Sequence, residues 1–297
     1  MLRAPIREPF GAAGIPVLTD GQRVFVKQYR VSADLEHAQA SWDMSAYCRT
    51  ARVPVPRVWT DRQGATLTRF EDAAWVVMDE APGRVATAPL TVPRAQHTGL
   101  LLGRMHRVLA SYPRPTRVRQ TRWRTADADE VAATTETVLA RASAQGDPRL
   151  EHLHIELAQR REDLHTHAAR LRAGLPDHLV AQAGHADFTR TNLLVQEDVI
   201  TAILDFQGET CLQAWELGRA AFDPRTVANS PSWMSCALRL IDAYRAENPG
   251  LPLTDVRASA RIALLSCCSA STAPRPLSTD FLRQQQPTCG SSGSSAR

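Results

Sequence analysis

Short alternating runs fill the first 80 residues of the chain, and long helical periods fill most of the remainder. Val24 and Val26 alternate with Phe25 and Lys27, so Gln22 to Tyr29 reads as a strand whose two pairs of side chains face opposite sides. Asp20-Gly21 precedes it, after another apolar run from Ile15 to Leu18, which is a two-residue hairpin signal. From Ser32 to about Thr50 no glycine or proline intervenes. That segment reads as a helix, with Ser32 and Asp34 as candidate caps. Val53-Pro54-Val55-Pro56 ends it, and short strands are expected at Arg57–Thr60, Ala65–Thr68 and Trp75–Asp79, with Asp61 to Gly64 as a turn.

Ala81-Pro82-Gly83 breaks this pattern. Beyond it, helices are expected at Val92 to Leu109 and Glu130 to Ala144. Leu150, Leu153, Leu157, Leu164, Ala168 and Leu171 have near-heptad spacing and mark one long amphipathic helix. Two more helices are expected at Trp233–Asn248 and Thr254–Cys267. The end of the chain, from Gln284-Gln285-Gln286 through Ser295, is low in complexity and reads as disordered. The predicted division is a strand-rich part with one helix over residues 1–80, a larger helical part over 81–275 and a tail over 276–297. The fold class is α+β, and a cleft between unlike lobes is the natural place for a site.

Composition narrows the function classes. With 43% hydrophobic and 22% charged residues, a packed core is within reach and global disorder is excluded. The net charge of +4 suits a phosphate-bearing ligand, but it lacks the dense basic stripe of a nucleic-acid binder. No apolar run reaches the ~18 residues of a membrane span, and the first residues show no secretory h-region. The six cysteines are scattered without Cys-x-x-Cys or zinc spacing. The expectation is a cytoplasmic, reduced protein with neither nucleic-acid nor membrane partners.

The candidate chemistry lies around residue 190. Asn192 stands five positions after Asp187, and Asp205 thirteen after Asn192. Two apolar strand-like runs, Leu193-Leu194-Val195 and Val199 to Leu204, flank a Glu197-Asp198 turn and place the three polar residues at strand ends. These residue types suit phosphoryl transfer. Magnesium takes hard oxygen ligands, often one or two carboxylates plus phosphates, which Asp205 and Asn192 can supply. Asp187 can orient an acceptor hydroxyl and take its proton, and Lys27 on the early strand can hold phosphates of ATP.

The spacing His185-x-Asp187-x4-Asn192, with Asp205-Phe206 beyond, resembles the protein-kinase signature set. The form without arginine after His185, followed by Asn192-Leu193-Leu194-Val195 and Ile203-Leu204-Asp205-Phe206, is more similar to the aminoglycoside phosphotransferase and choline kinase families. Val24-Phe25-Val26-Lys27 resembles their nucleotide-lysine strand, and Val53-Pro54-Val55-Pro56 the turn after their first helix. Val76 to Gly83 resembles their hinge, and Leu101-Leu102-Gly103-Arg104-Met105-His106 their first large-lobe helix. The resemblance covers roughly residues 10 to 270. It implies a bilobal protein-kinase-like fold, ATP and Mg2+ as cofactors, and transfer of the γ-phosphate to a hydroxyl of a small molecule, possible acceptors including aminoglycosides and other antibiotics. It implies Asp187 as base, Asn192 and Asp205 at the metal, Lys27 on the phosphates, and adenine on backbone groups from Met78 to Glu80. A helix carboxylate should pair with Lys27; Glu36 and Asp43 both qualify, seven residues apart on one face.

Three departures stand out. Ala186 sits where the family has glycine, Gly11 and Gly14 make a sparse phosphate loop, and the likeness ends after Leu265. Plainer readings stand beside these roles. His185 braces the loop rather than reacting. His152/His154 and His165/His167 are solvated surface, since i,i+2 spacing on a helix does not face one ligand. In families of this kind acidic residues after the metal aspartate meet cationic substrates, but Glu216 and Asp223 read more simply as helix caps or partners of Arg219 and Arg225. The rival in another class is a non-catalytic kinase-like nucleotide-binding module. A protein kinase is disfavoured because no Ala-Pro-Glu segment follows Asp205.

Overall fold

The computed structural model describes residues 6–7, 12–19, 22–30, 34–148 and 150–269, with backbone alone for 6–7, 12–19, 22 and 122. The Asp20-Gly21 turn, Gly11, Ser32, Cys289 and the 276–297 tail expected from sequence lie outside them. The chain divides into two compact units. One joins the part up to Thr125 with Ala168–Cys267; the other contains Ala126–His167. The sequence changes from strands to helices near residue 80, but by contact the early sheet and the later helices are one unit. Backbone bonds tie them: Ile203 N–H donates to the Pro54 carbonyl at 2.7 Å.

In the first unit, strands β1 (Ile6–Arg7), β2 (Ala12–Thr19), β3 (Gln22–Arg30), β4 (Thr68–Phe70) and β5 (Ala73–Asp79) form an antiparallel sheet of order β1-β2-β3-β5-β4. On β5 the alternation is clean, with Ala74, Val76 and Met78 buried. The expected strand at Arg57–Thr60 is only a single bridge, Val58 to Met78, because Pro56 supplies no ladder donor there. Helix α1 (Leu35–Thr50) starts at Asp34, whose carboxylate accepts from the His37 amide at 2.9 Å.

Two small sheets carry the loops of interest. One has the order β10-β9-β6, from β6 (Arg84–Val85), β9 (Leu193–Gln196) and β10 (Val199–Ile203). The other has the order β7-β11-β8, from β7 (Arg117–Val118), β8 (Ala181–Gly184) and β11 (Glu209–Leu212). Helices α2 (Val92–Leu109), α5 (Gln213–Ala221), α6 (Pro224–Asn229), α7 (Trp233–Glu247) and α8 (Leu253–Cys268) complete this unit. The core runs through Leu102, Met105 and Leu109 of α2, Leu217 of α5, and Leu240 and Tyr244 of α7, all fully or nearly fully buried. The second unit contains α3 (Ala128–Ala144), capped by Asp127 onto the Glu130 amide, and the first part of α4 (Leu150–Ala173), whose Leu153, Leu157 and Leu164 are buried. His152, His154, His165 and His167 are all exposed, and among the described residues no group of three or more ligating side chains could hold a metal. None of the described helices is long and apolar enough to cross a membrane.

Helix α2 lies against α7 because two glycines leave room. A Cβ on Gly99 would sit 2.0 Å from the Leu240 carbonyl oxygen, and one on Gly103 would sit 2.5 Å from that of Tyr244. Backbone cannot yield as a flexible side chain does. Gly99→Ala is therefore expected to destabilise the protein by about 2–3 kcal/mol in urea denaturation. Gly250→Ala, whose Cβ would meet only Asn248 Oδ1 at 3.9 Å, should stay within about 0.5 kcal/mol of the parent.

Candidate active site

The segment from His185 to Asn192 leaves β8 and turns back into β9. His185 is fully buried and braces the turn from both ring nitrogens. Its Nδ1 accepts the Asp187 amide at 3.2 Å, and its Nε2 lies 2.7 Å from the Leu204 carbonyl. An acceptor at Nδ1 requires the proton on Nε2, so the ring is neutral. Burial, the largest influence, lowers its pKa and outweighs the nearby carboxylates. Phe206 and Phe188 pack on the ring at centroid distances of 4.4 and 5.8 Å. The role expected for His185 as a brace agrees with this geometry. Ala186 is buried with φ 64°, a left-handed conformation that favours glycine.

Four side chains expected at the site come together in the first unit. Lys27, central in β3 opposite Val76, is 8% exposed, and its Nζ lies 2.6 Å from Asp205 Oδ1. Asp205 follows β10 with φ 58°, which turns it out of the strand direction. Leu204 N–H donates to the Asn192 carbonyl at 2.8 Å, so the two segments are stitched side by side. Asn192 Nδ2 donates to Asp187 at its carbonyl (3.0 Å) and at Oδ2 (3.1 Å). That orientation leaves Asn192 Oδ1 facing away from Asp187 as an acceptor. With Oδ2 of Asp205, two hard oxygens remain beyond the bonds just described. Gly208 lies next to α1: it has φ 64°, and a Cβ there would meet Ser41 Cα at 2.9 Å.

The structure does not bring Glu36 to Lys27. Glu36 is exposed in the first turn of α1, and Lys27 pairs with Asp205. Asp43 is engaged elsewhere, accepting from Gln39 Nε2 at 2.9 Å and from Arg114. At the expected adenine edge Met78 is buried, and two donors are already used. Asp79 N–H goes to the Arg57 carbonyl (2.9 Å) and Glu80 N–H to that of Arg23 (3.2 Å). The Glu80 side chain accepts from Arg23 Nη2 at 2.8 Å. Among the described residues, the Glu80 carbonyl and the Ala81 amide take no backbone partner.

Glu216, Arg219 and His106 stand close to this cluster without having been assigned to it from sequence. Glu216 neither caps a helix nor pairs with Arg219. It is fully buried on α5, 3.1 Å from His106 Nε2, and accepts the His185 amide at 3.1 Å. Burial is the largest influence and pushes its carboxyl up; the His106 hydrogen bond and charge, with Arg219, prevail and hold it below the usual carboxylate range. His106 Nδ1 lies 2.8 Å from the Tyr244 hydroxyl, extending the network to α7. Arg219 Nη2 donates to Asp187 Oδ1 at 3.2 Å, and its guanidinium lies 4.7 Å from the Trp215 ring. Asp223, by contrast, is a cap as expected, accepting the Arg225 and Thr226 amides at 3.1 and 3.0 Å.

The sequence model of the family described as "Phosphotransferase enzyme family" matches residues 10–253. The chain belongs to that phosphotransferase family. Among solved structures it is similar to an aminoglycoside phosphotransferase from Alicyclobacillus acidocaldarius, with 17% identity, TM-score 0.58, and 95% of this chain and 87% of that one covered. It is also similar to the amicoumacin kinase hAmiN in complex with AMP-PNP, Ca2+ and Ami, with 15% identity, TM-score 0.59, and 95% and 84% covered. A microcompartment-associated aminopropanol kinase matches with 18% identity, TM-score 0.57, and 95% and 88% covered. At these identities the likeness shows the fold, the α+β architecture expected from the motifs. No curated protein sequence matches the chain significantly.

The buried His185 and Glu216 of this phosphotransferase set a pH dependence. The folded state lowers both pKa values. His185 therefore contributes stability above its ordinary 6.5 that is lost as pH falls below it. Glu216 contributes stability above 4.5 that is lost as pH falls toward its lowered folded value. The Tm should fall in two stages as pH drops from 7 to 3. Glu216→Gln should flatten the lower stage while costing about 3 kcal/mol at pH 7. A wild-type Tm that is level from pH 7 to pH 5 would contradict the buried neutral histidine.

Proposed function

We propose that the chain transfers the γ-phosphate of ATP to a hydroxyl of a small molecule. The observation that carries this reading is the convergence of Lys27, Asp205, Asn192 and Asp187 on one patch, within a member of the phosphotransferase family. Lys27 is the group for the phosphates, exchanging Asp205 for phosphate oxygens when nucleotide arrives. The donor set suits magnesium: Asp205 and Asn192 offer oxygens, and this cation keeps few protein ligands. Bound there, magnesium would neutralise charge on the phosphates and position them. Use of a nucleotide with a divalent cation is further supported by the relative named as a complex with AMP-PNP and Ca2+. For adenine the Glu80 carbonyl and Ala81 amide are better placed than the Asp79 and Glu80 amides, which already have partners.

Asp187 is the base. Asn192 and Arg219 fix its carboxylate from two sides, so the acceptor hydroxyl meets an oriented oxygen. Positioning of this kind carries most of phosphoryl-transfer catalysis, because little covalent work falls to the protein. In this arrangement Asp205 is the carboxylate seated on Lys27, at 2.6 Å.

The roles predict a split between mutants. Asp187→Asn should lower turnover by about 10^2–10^4-fold and leave MgATP affinity within about twofold. Asp205→Ala should weaken MgATP binding by about tenfold or more in calorimetry. Equal loss of nucleotide affinity in both variants would contradict the assignment. Wild-type protein that binds MgATP yet releases no ADP with any alcohol would instead favour a non-catalytic nucleotide-binding module.

A further inference from the structure

The carboxylates that follow Asp205 in the chain are already engaged. Glu209 accepts Arg119 Nη1 at 2.7 Å. Glu216 is buried on His106 and the His185 amide. Asp223 caps α6 and lies 3.8 Å from Arg190 Nε. None of the three is left to draw an ammonium group toward Asp187. Two guanidiniums share the Trp215 ring instead. Arg219, on α5, reaches Asp187 through Nη2, and its Cζ lies 4.7 Å from the Trp215 ring centroid. Arg119, just after β7, places its Cζ 5.1 Å from the same ring. The indole holds both forks in place by cation–π contact. Their side chains are 28% and 33% exposed. Each guanidinium uses one terminal nitrogen on a carboxylate, which leaves a second donor edge on each.

We propose that the acceptor alcohol carries an anionic group, a carboxylate or a phosphate, which docks on Arg219 and Arg119 while the hydroxyl faces Asp187. This rests on the phosphotransferase reading above. A planar fork held on an aromatic face matches two oxygens of such an anion, giving short charge-assisted bonds. Each guanidinium already takes one carboxylate, Arg119 that of Glu209 and Arg219 that of Asp187, so neither carboxylate is left over for a polycationic acceptor. The step itself balances simply. The acceptor oxygen bonds to the γ-phosphorus, its proton passes to Asp187, and the bond from that phosphorus to the β-phosphate oxygen breaks. The products are ADP and a phosphate monoester that still carries the original anion.

The test is ADP release from MgATP with four sets of alcohols: glycerate and gluconate, glucose 6-phosphate, the neutral parents glycerol and glucose, and the cations choline and kanamycin. At least one acidic set should exceed its neutral parent by about tenfold or more in kcat/KM, and whichever of the carboxylate and phosphate sets leads identifies the anion. Arg119→Gln should raise the KM of that acceptor about tenfold with the KM of MgATP unchanged. Arg219→Gln should raise the acceptor KM as well, whereas a group that only positioned Asp187 would lower kcat alone. Preference for the cationic set, no advantage of acids over neutral parents, or silence in every set with MgATP bound overturns the proposal. Failure to bind MgATP at all defeats the phosphotransferase reading and this inference with it.

Discussion

A lysine ammonium taken out of water must be paired, and Lys27 is 8% exposed. The ladder of β3 between β2 and β5 fixes where that ammonium stands, because a strand offers no rotation to escape. Asp205 meets it at 2.6 Å from the opposite side, out of a loop whose backbone takes a left-handed turn to present it. The early sheet and the loop after β10 are thereby joined by a charge-assisted bond. Neutral contacts reinforce it, including Ile203 N–H on the Pro54 carbonyl and Gly208 lying against Ser41. That pair is, in our reading, what nucleotide and metal take apart and reuse.

Beneath that pair lies a second buried charge. Glu216 binds the backbone of the His185–Asn192 loop at His185 and the ring of His106, so α2, α5 and the loop are tied together. Gly184, immediately before the loop, allows this approach: a Cβ there would meet Cys211 Sγ at 2.5 Å and Glu216 Oε2 at 2.8 Å. Asp187 is then positioned by hydrogen bonds with His185, Asn192 and Arg219. Preorganisation of this sort suits a reaction that depends on placement.

Much of the fold was legible because its long elements obey one period. Val92 to Leu109 coincides with α2, and the helices expected from residue 130, from Leu150, from Trp233 and from Thr254 begin within two residues of α3, α4, α7 and α8. The candidate motif from His185 to Asn192 was readable too, since its spacing lies within one short segment. What escaped has physical causes. Strands β8 and β11 have four residues each, too few to show alternation. Helix α5 has only nine residues, too short a stretch to establish a helical period, and its polar Gln213 and Glu216 are buried. Glu216 read as a helix cap or a partner of Arg219, and only the fold places His106, 110 residues earlier, beside it. Glu36 failed as the lysine partner for the converse reason: a helix face can be read from spacing, but not which residue on it reaches the sheet.

Nucleotide should rearrange Lys27, Asp205 and Asn192, and a crystal structure of the chain with AMP-PNP and Mg2+ would show it. Lys27 Nζ should lie on a phosphate oxygen instead of Asp205, with Asp205 and Asn192 Oδ1 on the metal at about 2.0–2.1 Å. A Lys27–Asp205 pair still intact beside bound nucleotide, or a metal held without either residue, would contradict it.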